Sequence, residues 1–391
     1  MFTKEKRYTL VHYLFGALPA RLGDEMSGQA ILLVGLALTG SAALGSKVLA
    51  ALTFSAALGG PLLGTILDRS HHPGKVLASA LGLYAAGIAS ISLLIGHVPI
   101  LVVATVALAS GFLMPAISGG WSSRLKSFTT EEQMTTASAI DATTFNIAGL
   151  AGPAAAGLIA ATFGVHWAVI ALAILLVAAL PMAWSLPPKA ITAPTQTSTF
   201  IEDVLAGFKV IVQNKKLFRV TLVSVVSYMG IGMLWVIYPL VGQKLLGNPG
   251  FGGILASVVS AGALGATAAY AKWPTRYSPD VIALLTTFIL AVATFILALA
   301  NNTLFALSAM LFIGLADGPQ LAAIFAVRHR EAPEHSRSQV FTTGASLKIT
   351  AAAIGAALAG QLSGLSLQLT ILAACFVQVI AALFFILMRR V

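Results

Sequence analysis

The chain has 391 residues; 58% are hydrophobic, only 9% are charged, and the mean hydropathy is +0.92. Soluble domains carry about 25% charged residues, so the composition excludes an ordinary soluble domain and indicates an integral membrane protein. The net charge of +10 then reads as basic loops on one side of a bilayer, not as a nucleic-acid surface.

A membrane span needs about 20 mostly apolar residues. Twelve such stretches are predicted, at 9–40, 47–67, 76–96, 98–122, 136–161, 166–186, 217–242, 251–271, 280–300, 303–327, 339–363 and 366–388. They are about twice the length of a barrel strand and lack its alternation. The expected fold class is therefore all-α integral membrane, with twelve transmembrane helices in two pseudo-symmetric six-helix bundles. The bundles are expected at 1–186 and 217–391, joined by a linker at 187–216. Lys4, Lys6 and Arg7 precede the first apolar run as a signal peptide's charges would. Eleven further spans follow, so the first is read as uncleaved.

The first span carries Arg21, Asp24 and Glu25. Spacings of three and four place all three on one helix face. One carboxylate can neutralise Arg21, and the other is left to bind and release a proton. These are the proton-coupling candidates; the plainer reading is a structural ion pair near an interface. Between the second and third spans runs Gly60-Pro-Leu-Leu-Gly64-Thr-Ile-Leu-Asp68-Arg69-Ser-His-His-Pro-Gly74-Lys75. Its glycines allow close helix approach, and Asp68 at a membrane boundary needs a partner.

The fourth span, with Phe112, Met114 and Trp121, ends at Arg124. Early in the fifth lies Asp141, expected to pair with a loop arginine such as Arg124. Asn146, deeper, can bond substrate or a neighbouring helix. Gly149, Gly152, Pro153 and Gly157 follow as a small-residue hinge. In the linker, Pro187 and Pro188 favour a loop. Phe200, Ile201, Val204, Leu205 and Phe208 then fall at helical spacing and predict an interfacial helix at 200–212.

In the second half, Tyr228, Met233 and Trp235 are candidates for lining a substrate cavity, as are Asn146, Asp317 and Lys348. Asp317 sits beside Gly318-Pro319, where proline frees a carbonyl. Lys348 is its expected partner, in a gating or structural pair. The halves resemble each other: Gly111 to Pro115 leads nine residues later to Arg124, and Gly314 to Pro319 leads nine residues later to Arg328. The offset stays near 204, as internal repeats in secondary transporters would give.

Basic residues fix the expected orientation. Lys4, Lys6, Arg7, Arg69, Lys75, Arg124, Lys126, Lys189, Lys209, Lys215, Lys216, Arg219, Lys272, Arg276, Arg328, Arg330, Arg337, Arg389 and Arg390 fall on one side. Only Lys47 and Lys244 fall on the other. Both termini are placed in the cytoplasm and the protein in the inner (plasma) membrane. Enzyme signatures are missing: there is no G-x-x-x-x-G-K-[ST] loop, and His71-His72 lacks further ligands at metal spacing. Cys375, the only cysteine, lies in an apolar run and offers neither a disulfide nor a Cys-based metal site. No metal, cofactor or nucleic-acid partner is expected.

Gly64, Asp68, Arg69, Gly74 and Lys75 resemble the loop signature of the major facilitator superfamily, roughly G-x-x-x-D-R-x-G-R-K, in a slightly longer loop. Gly149, Gly152, Pro153 and Gly157 resemble the helix-5 pattern of its antiporters. The resemblance implies two bundles rocking about a midplane site. It also implies a latch role for Gly64, Asp68, Arg69, Gly74, Lys75, Arg124 and Asp141, and transport of the drug-efflux type. Proton-coupled members often carry an arginine inside helix 4, whereas here Arg124 lies at its end, leaving Arg21 as the substitute. The expected function is proton-coupled efflux of a small drug-like molecule by a monomer. The alternatives are a dedicated transporter or uniporter of a sugar, amino acid or organic anion, and a non-transporting receptor or scaffold.

Overall fold

Helices account for the regular structure throughout the described residues, which are 10–39, 42–188, 200–247, 252–273 and 276–388 of a computed structural model. Lys4, Lys6, Arg7, Lys189, Arg389, Arg390 and the 189–199 part of the predicted linker lie outside them. The first half contains α1 (Leu10–Thr39), α2 (Ala42–Arg69), α3 (Pro73–Leu94), α4 (Ile100–Gly111), α5 (Trp121–Arg124), α6 (Met134–Phe163) and α7 (Val165–Trp184). Then come α8 (Phe200–Gln213), α9 (Lys215–Leu246), α10 (Gly252–Lys272), α11 (Pro279–Ala298), α12 (Thr303–Glu331), α13 (Arg337–Ser363) and α14 (Leu367–Leu387). This is an all-helical membrane protein. Among the described residues eleven helices are long and apolar enough to cross a bilayer. They match the predicted spans from the second to the twelfth within a few residues. The first predicted span is the 30-residue α1, whose Arg21, Asp24 and Glu25 set it apart from the other eleven.

Local chemistry sets the helix ends. Asn214 caps α9 by accepting the N–H groups of Lys216 and Leu217 at 3.0 and 3.1 Å, which satisfies donors that a first turn leaves unpaired. Ser278 caps α11 in front of Pro279, and Ser366 caps α14. Gly247, at φ 71°, ends α9 in a left-handed conformation that favours glycine. The fourth span is broken: α4 stops at Gly111, Pro115 follows, and the chain resumes as a π-helix at Ala116–Gly120 before α5. Proline removes an N–H and clashes with the preceding turn, and a wide turn is one way to restart the ladder.

The described chain divides into two compact units. The first contains Met1–Glu131, Ile147–Val210 and Ala332–Ser346; the second contains Glu132–Asn146, Ile211–Glu331 and Leu347–Val391. The chain thus passes between units near the end of α8 and also inside α6 and α13. In the first unit α1 and α3 pack on α7, and α2 packs on α4. In the second, α12 packs on α10 and α11, and α9 on α14. Leu234, Ile237, Leu290, Met310, Ile313 and Ile371 form its main core.

Candidate functional site

The first unit builds a socket for the start of α13. Two N–H groups of that first turn, on Ser338 and Gln339, point at the Asp68 carboxylate, which accepts them at 3.1 and 2.9 Å. A carboxylate here satisfies unpaired donors and meets the positive end of the helix dipole. Arg124 reaches the same carboxylate at 3.7 Å and also donates to the Ser338 hydroxyl. The Asp68 and Arg124 side chains are only 6% and 11% exposed. The walls of the socket depend on glycine. A Cβ added at Gly64 would stand 2.5 Å from the Gln339 Cα, and one at Gly119, in the π-helix, 2.5 Å from the Phe341 carbonyl oxygen. Gly60 N–H donates to the Ser346 hydroxyl at 3.0 Å. Gln339 donates to Thr65, and Gly207 of α8 lies against its side chain.

The remaining loop residues go elsewhere. Arg69 is exposed at the end of α2. Gly74 packs against Ala183 of α7 and Leu186 just beyond it, and Lys75 lies 5.6 Å from the Trp184 ring. The sequence marked Asp68 and Arg124 but not Ser338, Gln339 or Gly207. A glycine inside the amphipathic α8 was the available signal.

In α1 the three charges part company. Arg21, 2% exposed, donates to Ser122 at 3.0 Å and to Tyr13 at 3.3 Å. Asp24 accepts from the Tyr84 hydroxyl at 2.8 Å, and Tyr84 also meets Ser27 at 2.9 Å. Glu25 is exposed and has no hydrogen-bond or ion-pair partner among the described residues. Beside it, α6 crosses α1 closely: a Cβ on Gly152 would stand 2.7 Å from the Glu25 Cβ. Of the small residues in α6 only Gly152 is pressed this way. Gly149 and Gly157 face open space, and Pro153 lies within the helix.

The second unit holds the other candidates. Asp141 is fully buried, in the α6 segment whose Ala139 and Ala142 pack with Val223, Tyr270 and Ala322. Asn146 donates to Thr267 of α10 at 3.1 Å, so it bonds a neighbouring helix. Met233 is 1% exposed and packs in the core. Tyr228 and Trp235 meet edge to face with ring centres 6.3 Å apart. Lys348 Nζ stands 3.9 Å from the Tyr228 ring centre. Asp317 and Lys348 interact electrostatically without a direct ion pair. Arg328 acts on Lys348 too. It is 1% exposed, and its Nε and Nη2 find no acceptor among the described residues. The sequence counted Arg328 among the basic residues of one side; the structure buries its side chain.

Two further networks went unmarked. Gln320 donates to Thr287 at 2.7 Å and to Ser227 at 3.2 Å, and Ser227 donates to Gln378 at 2.8 Å. Near the start of α11, Asp280 holds Arg219 at 2.6 Å and Arg330 at 2.8 Å. Glu331 holds Arg330 at 2.7 Å and Lys216 at 3.2 Å. Lys216, Arg219, Asp280 and Arg330 help line a cavity of about 430 Å³.

The sequence profile of the Major Facilitator Superfamily matches residues 13–346. No curated protein matches in sequence. Among solved structures, a bacterial homologue of the iron transporter ferroportin in an outward-facing state superposes with a TM-score of 0.79 at 14% identity, covering 98% of this chain and 99% of that one. The human organic anion transporter MFSD10 (TETRAN) gives 0.76 at 13%, covering 98% and 100%. The proton:xylose symporter XylE, bound to 6-bromo-6-deoxy-D-glucose, gives 0.73 at 13%, covering 96% of each chain.

Proposed function

Because the chain belongs to the Major Facilitator Superfamily, and is thereby a non-enzymatic secondary transporter of small molecules, we propose that it is a proton-coupled exporter working by alternating access. The bundles are 1–186 and 217–391, joined through 187–216, with both termini in the cytoplasm of a cell membrane. The observation that carries the coupling is the acid pair in α1. Asp24 is held by Tyr84, and Glu25 stands exposed inside a membrane helix with no hydrogen-bond or ion-pair partner among the described residues. Intramembrane acids are costly and mark proton relays. Glu25 is the group that exchanges the proton, Asp24 sets its surroundings, and Arg21 anchors α1 to Ser122. Substrate binding releases the proton, and reprotonation from outside resets the carrier. The resemblance of Gly149, Gly152, Pro153 and Gly157 to the antiporter pattern gives the direction. Gly152 is where α6 turns on α1.

Asp68 is the latch. Its carboxylate ties α2 to the first turn of α13, with Arg124 beside it and α8 against Gln339. Gly64 makes room for the contact, while Arg69, Gly74 and Lys75 shape the loop. The solved neighbours are a homologue of an iron transporter, an organic anion transporter and a proton:xylose symporter, at 13–14% identity, so they leave the substrate class open.

Transport into inverted vesicles with an imposed pH gradient tests the coupling. Collapse of the gradient should abolish accumulation, and Glu25→Gln should equilibrate substrate without concentrating it. Accumulation that survives collapse would make the protein a uniporter or a carrier coupled to another ion.

A further inference from the structure

Neither the latch nor proton exchange at α1 uses the ion pairs near the start of α11. Their residues line the cavity of about 430 Å³, within the range of about 300–1,000 Å³ common for small-molecule pockets. The cavity lies at one end of the second unit, where α9 and α11 begin and α12 and α14 end. Its floor is buried: the Arg219 guanidinium lies 4.6 Å from the Phe385 ring centre, and both residues are shielded. Its rim is exposed and carries Lys216, Ser278 and Arg330. Charges in the lining do not cancel. Arg219 donates to one oxygen of Asp280 at 2.6 Å and Arg330 to the other at 2.8 Å. Glu331 accepts from Arg330 at 2.7 Å and pairs with Lys216 at 3.2 Å. Three cations therefore share two carboxylates. Lys215 of α9, Arg328 and His329 of α12, and Asp141 of α6 do not line the cavity. Within their helical spans α11 carries no charge besides Asp280, and α14 carries none.

Asp280 fixes both guanidinium groups while using only some of the donors that each carries. Arg219 is 9% exposed, and its Nε finds no acceptor among the described residues. Below the rim the wall turns apolar, with Val281 and Leu284 completing the lining. α11 packs on α14, and exposed Leu285, Phe288, Leu383 and Leu387 continue the apolar surface along these two helices. Tyr277, next to Ser278, is exposed at the same end, and tyrosines gather at the level of lipid headgroups. A cationic mouth above an apolar strip fits an amphiphile. We propose that the cavity binds the phosphodiester headgroup of a membrane phospholipid of net charge −1, with Lys216, Arg219 and Arg330 around the phosphate and an acyl chain along α11 and α14. One negative charge neutralises the excess cation. Guanidinium groups match phosphate oxygens, and basic pockets between membrane helices suit such headgroups. Lipid chains cover the strip in any bilayer; the cavity fixes one of them by its head. A free phosphate would satisfy the mouth and leave the strip unused.

The lipid site stands whatever the carrier transports and however it is coupled. Delipidated full-length protein in detergent is mixed with equal amounts of dioleoylphosphatidylglycerol and dioleoylphosphatidylcholine, and the bound lipid is weighed by native mass spectrometry. The first lipid retained should be phosphatidylglycerol, preferred by about tenfold, the scale of a charge-assisted hydrogen bond. Arg330→Gln and Lys216→Gln should each lower the preference by about fivefold, the scale of one basic residue at a membrane surface. Arg219→Gln should abolish it. Lys126→Gln removes the same charge in the first unit, where Lys126 pairs with Glu131, and should leave the preference unchanged. If Arg219→Gln fails to fold, Arg330→Gln and Lys216→Gln decide. Thermal melts separate the two sources of phosphate: phosphatidylglycerol should raise the melting temperature, and inorganic phosphate at the same concentration should not. Equal retention of the two lipids, a preference that survives the Gln variants of the cavity or falls as far in Lys126→Gln, or equal stabilisation by inorganic phosphate would overturn the proposal.

Discussion

Arg124 and Arg328 stand at matching places in the two halves, each nine residues after a proline, and meet opposite surroundings. Arg124 has Asp68 at 3.7 Å and the Ser338 hydroxyl beside it. Arg328 is more deeply buried and lacks an acceptor at two of its nitrogens among the described residues. The repeat explains the difference. An offset of 204 carries Asp68 to position 272, which is Lys272. The first half has an acid at this position and fastens a helix with it. The second half has a lysine at the matching position. A repeat therefore duplicates a scaffold without duplicating its use.

The largest expected effect comes from making Arg124 resemble Arg328. Asp68→Asn keeps the shape but removes the charge that accepts two N–H groups of α13. Transport should fall by about tenfold or more, the scale of charged hydrogen bonds. Labelling of cysteines placed on each face should shift toward the inward-open state. Substrate affinity in a conformation fixed by cross-linking should stay the same; loss of binding alone would refute the latch.

A smaller effect is expected at the socket wall. Gly64→Ala places a Cβ 2.5 Å from the backbone of Gln339. Overpacking of this kind costs about 1–3 kcal/mol, and the better helix propensity of alanine returns about 1 kcal/mol of it. Gly149→Ala meets open space and should stabilise by up to about 1 kcal/mol. Thermal melts of the two variants in one detergent compare them. Equal shifts would mean that Gly64 does not wall the socket.

Much of the fold was legible because a bilayer imposes a simple pattern: long apolar runs, charges at their ends, and prolines or glycines where helices bend or meet. Asp68 and Arg124 were legible as charges at span boundaries, although the partner expected for Arg124 was Asp141 and the structure sets it beside Asp68. Ser338, Gln339 and Gly207 were not, because their importance lies in a backbone N–H or a missing Cβ that only the fold brings together. The burial of Arg328 escaped for a related reason: nothing local to its place near the end of a span reveals it. Met233 illustrates the reverse: its type suits a cavity lining, yet packing with Leu234 and Ile237 places it in the core.

The contrast between the two arginines is tested most directly by replacing each with methionine and measuring thermal stability without substrate. Arg124→Met strips a partner from the buried Asp68 and should destabilise by about 2–3 kcal/mol, below the full cost of breaking a buried pair because two N–H donors remain. Arg328→Met removes a buried guanidinium whose Nε and Nη2 lack an acceptor among the described residues, and should stabilise by about 1 kcal/mol or more. Shifts of opposite sign are the predicted result. Destabilisation of both variants to a similar extent would contradict the account, because Arg328 would then be fastened within the fold as Arg124 is.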